Sequence, residues 1–487
     1  MKDYTTKEIR NVCLMGHGGS GKTSLAEAML FNTGVLDRFG KVADGTTVMD
    51  FDPEEIKRKI SISTSIAVCE WKGYKINIID TPGYFDFVGE VKQGIRVADS
   101  AIITVSAKSG VAVGTEKAWS YAKEQGIPVL FCINKLDEEN ADFYKAYDQL
   151  IDVFGKNVIA FQLPIIEGNK FTGYVDVINM KAKKYEKGKL IDADVPSDLN
   201  DRVSSIREAL NEAIAETSEE LMEKYFGGEE FSPEEISTGL KAGINDRSIV
   251  PVFCTVATAN LGVEGVMDAI VNSFPSPEDR GVIKAAKVGG SDTVELKPSA
   301  NEPLSAIIFK TIADPFVGKI SMFRVYSGTM KADSSVLNSV ADKNEKIAQI
   351  FIMRGKKQIP VDKLVAGDIG AVTKLQFTNT NDTICDQSNP VVLDKIEFPE
   401  PAITFAVEPK SKGDEEKISN GLQKLQDEDP TFKVTLNTET HQTLISGVGD
   451  QHLDVIVSKL KSKFNVSVNL VDPKVPYRET IKKKVKV

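Results

Sequence analysis

The stretch GHGGSGKT at positions 16–23 is the first whose residue types and spacing could do chemistry. It follows an apolar run, opens a helical period and satisfies the pattern G-x-x-x-x-G-K-[ST]. Its glycines let the backbone curl so that N–H groups point at phosphate oxygens. Lys22 would supply positive charge to the β- and γ-phosphates, and Thr23 a hydroxyl for Mg²⁺. The predicted phosphate-binding residues are Gly16, His17, Gly18, Gly19, Ser20, Gly21, Lys22, Thr23 and Ser24.

A second stretch, NKLD, follows another apolar run and comprises Asn134, Lys135, Leu136 and Asp137. The carboxylate of Asp137 can accept from both N1–H and the exocyclic amine of guanine, which adenine does not present together. Lys135 can lie along the ring, and Asn134 can tie this loop to the phosphate loop. Alone, the pattern also occurs in solvated polar loops. Beside the phosphate loop it favours GTP over ATP, and Asp137 opposes an ATPase or kinase.

The third stretch, DTPG, comprises Asp80, Thr81, Pro82 and Gly83 at the end of a strand-like run. Asp80 can hold Mg²⁺ through water, and the Gly83 N–H can meet the γ-phosphate. An ordinary turn after a strand would look similar, but the other two motifs favour function. Together the three stretches predict a GTPase switch that binds GTP or GDP with Mg²⁺.

The elements around these motifs alternate apolar strands with helical periods. The predicted buried strands are Asn11–Met15, Lys75–Asp80, Ala101–Ser106, Val129–Asn134 and Val250–Val256. Near-continuous apolar runs of this length suit a parallel sheet with helices on both faces. We therefore predict a doubly wound α/β domain over residues 1–280. A subdomain is inserted at about 157–249, because this stretch is too long for a simple connection.

The remainder is predicted to form two further domains. Residues 281–302 are rich in Gly, Ser and Pro and indicate a linker. Residues 303–396 contain strands without intervening helices and favour a small β-barrel. Residues 400–480 follow the order βαββαβ of a ferredoxin-like sandwich. The fold class is therefore a multidomain α/β, β and α+β chain.

Composition restricts the functional classes. The net charge of −10 over 487 residues gives no global attraction to a phosphate backbone, although local basic patches could still meet a ribonucleoprotein. Five cysteines without a C-x-x-C pair argue against a disulfide framework or a zinc site. The first residues lack a signal-peptide core, and no run of 18 apolar residues occurs. These features predict a cytoplasmic protein that does not associate with membranes.

The three motifs, the insert and long stretches of the last two domains together resemble elongation factor G. The stretches include FKTIADPFVGKISMFRVYSGTM, FAVEPKSKGDEEKISNGLQKLQDEDPTFKV, ISGVGDQHLDVIVSKL and YRETI. The resemblance covers nearly the whole chain and implies a G domain with its insert, then domains II and III. Two more domains follow in that family. We therefore expect this sequence to be a piece of a longer protein.

The resemblance also assigns the first switch, GTTVMDFDPEEIKRKISIST at 45–64. Arg58 and Ser61 match the Arg and Thr of the family segment R-G-I-T-I, so Ser61 would be the second hydroxyl on Mg²⁺. The implied metal set is Thr23, Ser61 and Asp80. Lys59 stands where the family has Gly. The alternative is a solvated charged stretch, and we expect this segment to be disordered when no nucleotide is bound.

Three positions depart from the family pattern. Tyr84 replaces the family His that helps to align the attacking water, and Gly19 replaces a phosphate-loop Asp that matters for hydrolysis. Val256 replaces a Ser on the guanine side, while the Ala257 N–H could still meet O6 of guanine. A phenol is a poor base at neutral pH but can hydrogen-bond a water or a phosphate oxygen. The implied catalytic set, Lys22, Gly83 and Tyr84, predicts retained binding and weak hydrolysis. The same departures resemble those of a subgroup of elongation-factor-G-like paralogues.

The resemblance implies a monomeric translation factor that acts on the ribosome near its sarcin–ricin loop and changes conformation when GTP is hydrolysed. One alternative is a GTP-sensing ribosome ligand that hydrolyses little. Another is a ribosome-protection factor, whose first three domains would look the same. Translocation, recycling, protection and stress roles all stay open at this point.

Overall fold

The computed structural model describes residues 2–168, 170–290, 292–314 and 317–480, and its first elements follow the predicted apolar runs. The strands are β1 (Ile9–Met15), β2 (Ser65–Trp71), β3 (Tyr74–Asp80), β4 (Ser100–Ser106) and β5 (Val129–Asn134). The helices between them are α1 (Lys22–Asn32), α2 (Pro53–Arg58), α3 (Val88–Arg96), α4 (Val113–Glu124) and α5 (Phe143–Phe154).

The next stretch contains the insert and the return to the first domain. Its strands are β6 (Val158–Ala160), β7 (Gln162–Glu167), β8 (Lys170–Asp176), β9 (Lys181–Glu186), β10 (Lys189–Ala193) and β11 (Val250–Cys254). Its helices are α6 (Asn200–Ala215), α7 (Glu219–Phe226), α8 (Pro233–Asp246) and α9 (Val263–Ser273). Helix α8 begins with the predicted capping box, in which Ser232 accepts from the N–H of Glu235.

One seven-stranded sheet, in the order β2-β3-β1-β4-β5-β11-β6, forms the centre of this domain. Strands β3, β1, β4, β5, β11 and β6 run parallel, which confirms the predicted doubly wound α/β fold. The carboxyl ends of β1, β3 and β5 meet at one edge of this sheet, where open α/β sheets bind ligands. The three motifs are therefore brought together there.

Two strands of this sheet differ from the sequence-based expectation. Strand β2 is an additional edge strand that pairs antiparallel with β3. Strand β6 joins the far edge beside β11, although its residues were assigned to the insert. The insert itself begins with the four-stranded sheet β10-β9-β8-β7.

Among its described residues, the barrel region contains thirteen strands. They are β12 (Ile283–Lys287), β13 (Thr293–Leu296), β14 (Ser305–Asp314), β15 (Gly318–Ser327), β16 (Thr329–Lys331), β17 (Ser334–Asn338), β18 (Lys343–Ile347), β19 (Ile350–Arg354), β20 (Lys357–Val361), β21 (Lys363–Val365), β22 (Ile369–Thr373), β23 (Thr383–Cys385) and β24 (Val391–Val392). Eight of them form a barrel-like sheet, β18-β17-β23-β14-β15-β22-β19-β20, around a separate apolar cluster. The expected linker at 281–302 instead contains the hairpin β12–β13, which pairs with β24.

The last domain has the predicted βαββαβ order. Its elements are β25 (Ile403–Pro409), α10 (Glu415–Glu428), β26 (Lys433–Asn437), β27 (Gln442–Gly447), α11 (Asp450–Phe464) and β28 (Val468–Val471). The sheet order is β26-β27-β25-β28, with its own core beneath the two helices. We call it the C-terminal domain, and the first domain the G domain.

All five cysteines are buried free thiols. Among the described residues, no helix has the length and apolar character needed to cross a membrane.

Candidate nucleotide site

The phosphate loop connects β1 to α1 through glycines that the local geometry requires. Gly16, Gly19 and Gly21 have φ values of 132°, 78° and 99°, which other residues rarely adopt. A Cβ atom on Gly16 would also lie 2.5 Å from the Thr104 carbonyl oxygen. The Ser20 hydroxyl lies 2.6 Å from the Thr104 hydroxyl. The loop is therefore fixed against β4 in a curled conformation.

Lys22 lies at the centre of this loop. Its ammonium donates to the carbonyl oxygens of Gly16, at 3.0 Å, and His17, at 3.1 Å. Burial lowers the pKa of Lys22, while the nearby charge of Asp80 and then that of Asp50 act to raise it. The side chain is thus a buried cation held beside backbone donors, which suits a polyphosphate.

The predicted metal residues converge beside Lys22. The Thr23 hydroxyl donates to Asp80 Oδ2 at 2.7 Å and lies 3.0 Å from the Ser61 hydroxyl. Asp50, which sequence reasoning missed, is also buried here. The pKa of Asp80 is raised mainly by burial and secondly by the charge of Asp50. Asp80 Oδ1 and Asp50 Oδ2 are buried without a hydrogen-bond partner among the described residues.

These oxygens fit a Mg²⁺ ion. Mg²⁺ takes oxygen ligands and usually combines one or two carboxylates with substrate phosphates and water. Two hydroxyls and two buried carboxylates with unused oxygens match that requirement. Within the described part of the chain, no group of three or more His, Cys, Asp and Glu side chains is placed to hold a metal ion.

The guanine-side loop is arranged around Asn134. Its amide nitrogen donates to the Ser20 carbonyl at 3.2 Å, so it ties this loop to the phosphate loop as predicted. Its amide oxygen accepts from the Ala257 N–H at 3.0 Å. The predicted contact of the Ala257 N–H with O6 of guanine stays a prediction. It requires this N–H to be shared between Asn134 and the base. Asp137 is exposed at the edge of the site, and Leu136 is buried behind it.

Lys135 differs from the expected position. It has a φ of 67°, and its ammonium donates to Glu138 Oε1 at 2.7 Å. The carboxylate lies only three residues away, so this local ion pair competes with placement along the base. On the far side of the loop, Val256 and Ala257 are both buried.

Tyr84 lies across the phosphate loop. A Cβ atom added to Gly18 would be 3.0 Å from Cε2 of Tyr84, so the ring contacts the backbone there. A Cβ atom on Gly83 would lie 2.5 Å from Lys22 Nζ and 2.7 Å from the backbone of Gly18. Tyr84 is 38% exposed. The three residues predicted to be catalytic, Lys22, Gly83 and Tyr84, thus lie together, and Thr81 and Pro82 are buried behind them.

The first switch is folded over the metal residues in the structure. Helix α2 begins at a capping box made by Asp52 and Glu55, with Pro53 in its first turn. It ends at Arg58 and is capped by Lys59, whose φ of 58° lies in the left-handed region. A glycine adopts that conformation at a cost lower by about 1 kcal/mol. The family Gly at this position has that physical role. The prediction of disorder without nucleotide stays a prediction.

Buried glutamates hold this switch segment. Glu27 on α1 accepts from the N–H groups of Gly40, at 3.2 Å, and Val48, at 3.0 Å. Glu55 accepts from Ile62 and Ser63, each at 3.0 Å. Burial, followed by the charge of Asp50, raises the pKa of Glu55 to about 8.

The outer face of both switches contacts the C-terminal domain. Arg58 donates to Asp454 Oδ2 at 2.6 Å, and the Ser458 hydroxyl donates to Glu54 Oε1 at 2.6 Å. After the DTPG turn, Asp86 Oδ1 accepts from the N–H of Gln451 at 3.0 Å. Ile62, Phe87 and Val455 form an apolar cluster between them. Residues of both switches thus link the nucleotide site to helix α11.

Comparisons with known proteins agree with this architecture in each domain. The family model described as the Elongation factor Tu GTP binding domain matches residues 7–276. Models for Elongation factor G domain 2 and Elongation Factor G, domain III match residues 303–387 and 398–472. A crystal structure of a protein from Thermus thermophilus superposes with a TM-score of 0.87 at 34% sequence identity. The match covers 98% of this chain and 69% of that one.

A P-loop domain with these three motifs, followed by the barrel and the βαββαβ domain, defines a translational GTPase. Because all three family models match in order, the chain belongs to the elongation factor G family and is elongation-factor-G-like. Membership of this family implies that the site binds a guanine nucleotide.

Proposed function

We propose that this chain is a cytoplasmic, monomeric translation factor that binds GTP with Mg²⁺, hydrolyses it and uses the switch to act on the ribosome. The observation that carries this proposal is the double engagement of the switches. Ser61 and Gly83 lie at the phosphate and metal residues, while Arg58 and Asp86 bond to the C-terminal domain. A change of nucleotide would therefore alter the contacts that position that domain.

In this proposal each group of the site has a distinct task. Lys22 and the phosphate-loop N–H groups bind the phosphates, and Asp137 accepts from guanine. Bound Mg²⁺ would neutralise developing phosphate charge and would be held by Thr23, Ser61 and Asp80, with Asp50 close by. Gly83 donates its N–H to the γ-phosphate, and Tyr84 orients the water through its hydroxyl. Contact with the ribosomal sarcin–ricin loop would fix Tyr84 in that position.

The second candidate is a GTP-sensing ribosome ligand that hydrolyses GTP slowly. Two observations favour it, both in positions where the family has an ionisable side chain. Tyr84 packs on Gly18, and Gly19 presents no side chain. Loss of one water-orienting group can cost several kcal/mol of barrier without abolishing turnover.

The experiment is GTP turnover by the wild-type chain and by Tyr84→His and Tyr84→Phe, with and without ribosomes at saturating nucleotide. The translocase-type proposal expects ribosomes to stimulate the wild type, Tyr84→His to be faster and Tyr84→Phe to lose stimulation by about tenfold or more. Phe keeps the packing on Gly18 and removes only the hydroxyl, so it is the matched control. If the wild type and both variants hydrolysed GTP at equal rates that ribosomes did not stimulate, the result would favour the GTP-sensing ribosome ligand instead.

Nucleotide identity is tested separately by Asp137→Asn. The variant loses the acceptor for both guanine donors, so GTP affinity should fall by about 100-fold or more. Xanthosine triphosphate, which carries a carbonyl oxygen in place of the amine, should bind the variant better than GTP does. Unchanged GTP affinity would contradict the assignment of Asp137.

A further inference from the structure

A cavity of about 490 Å³ lies where the G domain, the hairpin β12–β13 and the barrel meet, away from the nucleotide site. Its floor is formed by buried Arg324 and Tyr326 of β15, together with Asp99 before β4. Its rim carries Arg280 and Lys284, which precede and begin the hairpin. Cavities of roughly 300–1,000 Å³ are the size that holds small ligands.

The charged side chains of this cavity do not balance. Six cations line it, namely Lys92, Arg96, Arg280, Lys284, Arg324 and Lys395. Four carboxylates line it, namely Asp99, Glu124, Asp394 and Glu397. Two pairs neutralise each other, Lys92 with Glu124 at 2.8 Å and Arg324 with Asp99 at 2.6 Å. Four cations then face two carboxylates, in a chain whose net charge is −10.

Two of the unpaired cations are guanidinium groups already oriented by neutral acceptors. Arg96 donates to the Tyr326 hydroxyl and, at 3.1 Å, to the Asp394 carbonyl oxygen. Arg280 donates to the Gly126 carbonyl oxygen at 2.8 Å. Within the described part of the chain, neither forms an ion pair with a carboxylate. Oriented guanidinium groups with N–H donors to spare are well suited to phosphate.

We propose that this interdomain cavity binds a small molecule carrying two or more phosphate groups. Arg96 and Arg280 would hold one phosphate, and Lys284 and Lys395 at the rim would meet the other. A single phosphate on Arg96 and Arg280 would leave Lys284 and Lys395 without a phosphate contact. The ligand would join α3, the hairpin and the barrel, and it is distinct from the nucleotide bound at the phosphate loop.

The test is isothermal titration of inorganic pyrophosphate into the whole chain, with the nucleotide site saturated by GDP and excess Mg²⁺. The informative variant is Arg280→Gln with Lys284→Gln, both exposed on the rim. The matched control is Lys343→Gln with Lys346→Gln, which removes two exposed charges from β18 of the same barrel. Both double variants change net charge equally, so nonspecific attraction would affect them alike.

The proposal expects one pyrophosphate per chain, binding of the control within about twofold of wild type, and weakening of the rim variant by about tenfold or more. No heat from the wild type, equal weakening of both variants, or unchanged affinity of the rim variant would each overturn it. GTP turnover plays no part in this readout. Failure here therefore leaves the proposed function untouched, and the reverse also holds.

Discussion

The G domain makes two interfaces of opposite character, one with the barrel and one with the C-terminal domain. At the barrel interface, buried Lys75 donates to both carboxylate oxygens of Asp368, at 2.8 and 2.7 Å, and Asn77 donates to the same carboxylate. Buried Arg324 pairs with Asp99. At the C-terminal interface, the ion pair Arg58–Asp454 involves an aspartate that is 65% exposed.

The difference lies in which G-domain residues each interface uses. The buried barrel pairs use Lys75 of β3 and Asp99 before β4, neither of which is a predicted nucleotide or metal residue. Lys310 of the barrel also pairs with Glu90 of α3. The C-terminal domain bonds to residues of both switches, through Glu54, Arg58 and Asp86. Removing one partner of a buried ion pair costs about 3–5 kcal/mol, whereas an exposed pair contributes about 1 kcal/mol or less. We infer that the barrel interface stays fixed and that the C-terminal interface changes with the nucleotide state.

The largest expected effect comes from breaking the fixed interface. Lys75→Met leaves the Asp368 carboxylate buried without its cation and should lower the free energy of unfolding by about 3–5 kcal/mol. Urea unfolding followed by tryptophan fluorescence measures it, because both tryptophans, Trp71 and Trp119, belong to the G domain. Lys75→Met with Asp368→Leu removes both charges and should recover more than half of the loss. A single variant as stable as wild type would contradict the inferred role of this pair.

The apolar cluster at the responsive interface should have an intermediate effect. Val455→Ala removes two carbons from the contact with Ile62 and Phe87. The free energy that holds the C-terminal domain against the switches should fall by about 2 kcal/mol. The loss should appear as faster hydrogen exchange in residues 450–464 and 53–64, with urea unfolding of the G domain unchanged. Val457→Ala is the control, because Val457 packs in the core of the C-terminal domain instead. Equal effects of both variants on residues 53–64 would argue against a specific interface contact.

Acid should weaken the C-terminal domain through Asp429. Burial acts to raise the pKa of Asp429, but the hydrogen bond and charge of His452 outweigh it and lower the pKa from 3.8 to about 2. The lowered pKa stabilises the fold above pH 3.8, and this contribution of about 1–2 kcal/mol is lost as pH falls toward 2. Urea midpoints by circular dichroism should show a larger gap between wild type and Asp429→Asn at pH 6 than at pH 3. An equal gap at both pH values would contradict the linkage.

The smallest expected effect is that of the exposed ion pair. Arg58→Gln should change the free energy of unfolding by less than about 1 kcal/mol, because Asp454 is largely solvated. Lys57→Gln is the control, since Lys57 is exposed and bonds no residue of the C-terminal domain in the described chain. The useful readout is the affinity ratio for GTP over GDP, which should change for Arg58→Gln and not for Lys57→Gln. If Arg58→Gln lowered the free energy of unfolding by several kcal/mol, the Arg58–Asp454 pair would contribute as much as a buried pair, contrary to this prediction.

The sequence was sufficient where structure is local or repeats a known pattern. Apolar runs located β1, β3, β4, β5 and β11 within one or two residues, and the capping box at Ser232 marked the start of α8. The motifs placed Lys22, Thr23 and Asp80 in one site, because strand ends of a parallel sheet meet at one edge.

The sequence was insufficient where the outcome depends on contacts between distant parts of the chain. Lys75 and Asp368 are 293 residues apart, and neither lies in a pattern that indicates pairing. Asp50 enters the metal site only because α2 and the Glu27 contacts fold the first switch inward. The edge strand β2 was missed because it joins the sheet antiparallel, outside the alternation of strands and helices. Lys135 forms an ion pair with Glu138, which competes with its placement along the guanine ring, and the motif alone does not indicate this partner.

The most direct measurement is hydrogen exchange of the whole chain with GDP and with a non-hydrolysable GTP analogue. If the C-terminal interface changes with the bound nucleotide, hydrogen exchange should differ between the two states in residues 45–64, 84–91 and 450–460. Residues 74–78 and 364–370 at the barrel interface should exchange alike in both states. Equal changes at the two interfaces, or no change at 450–460, would contradict the conclusion that only the C-terminal interface responds to GTP.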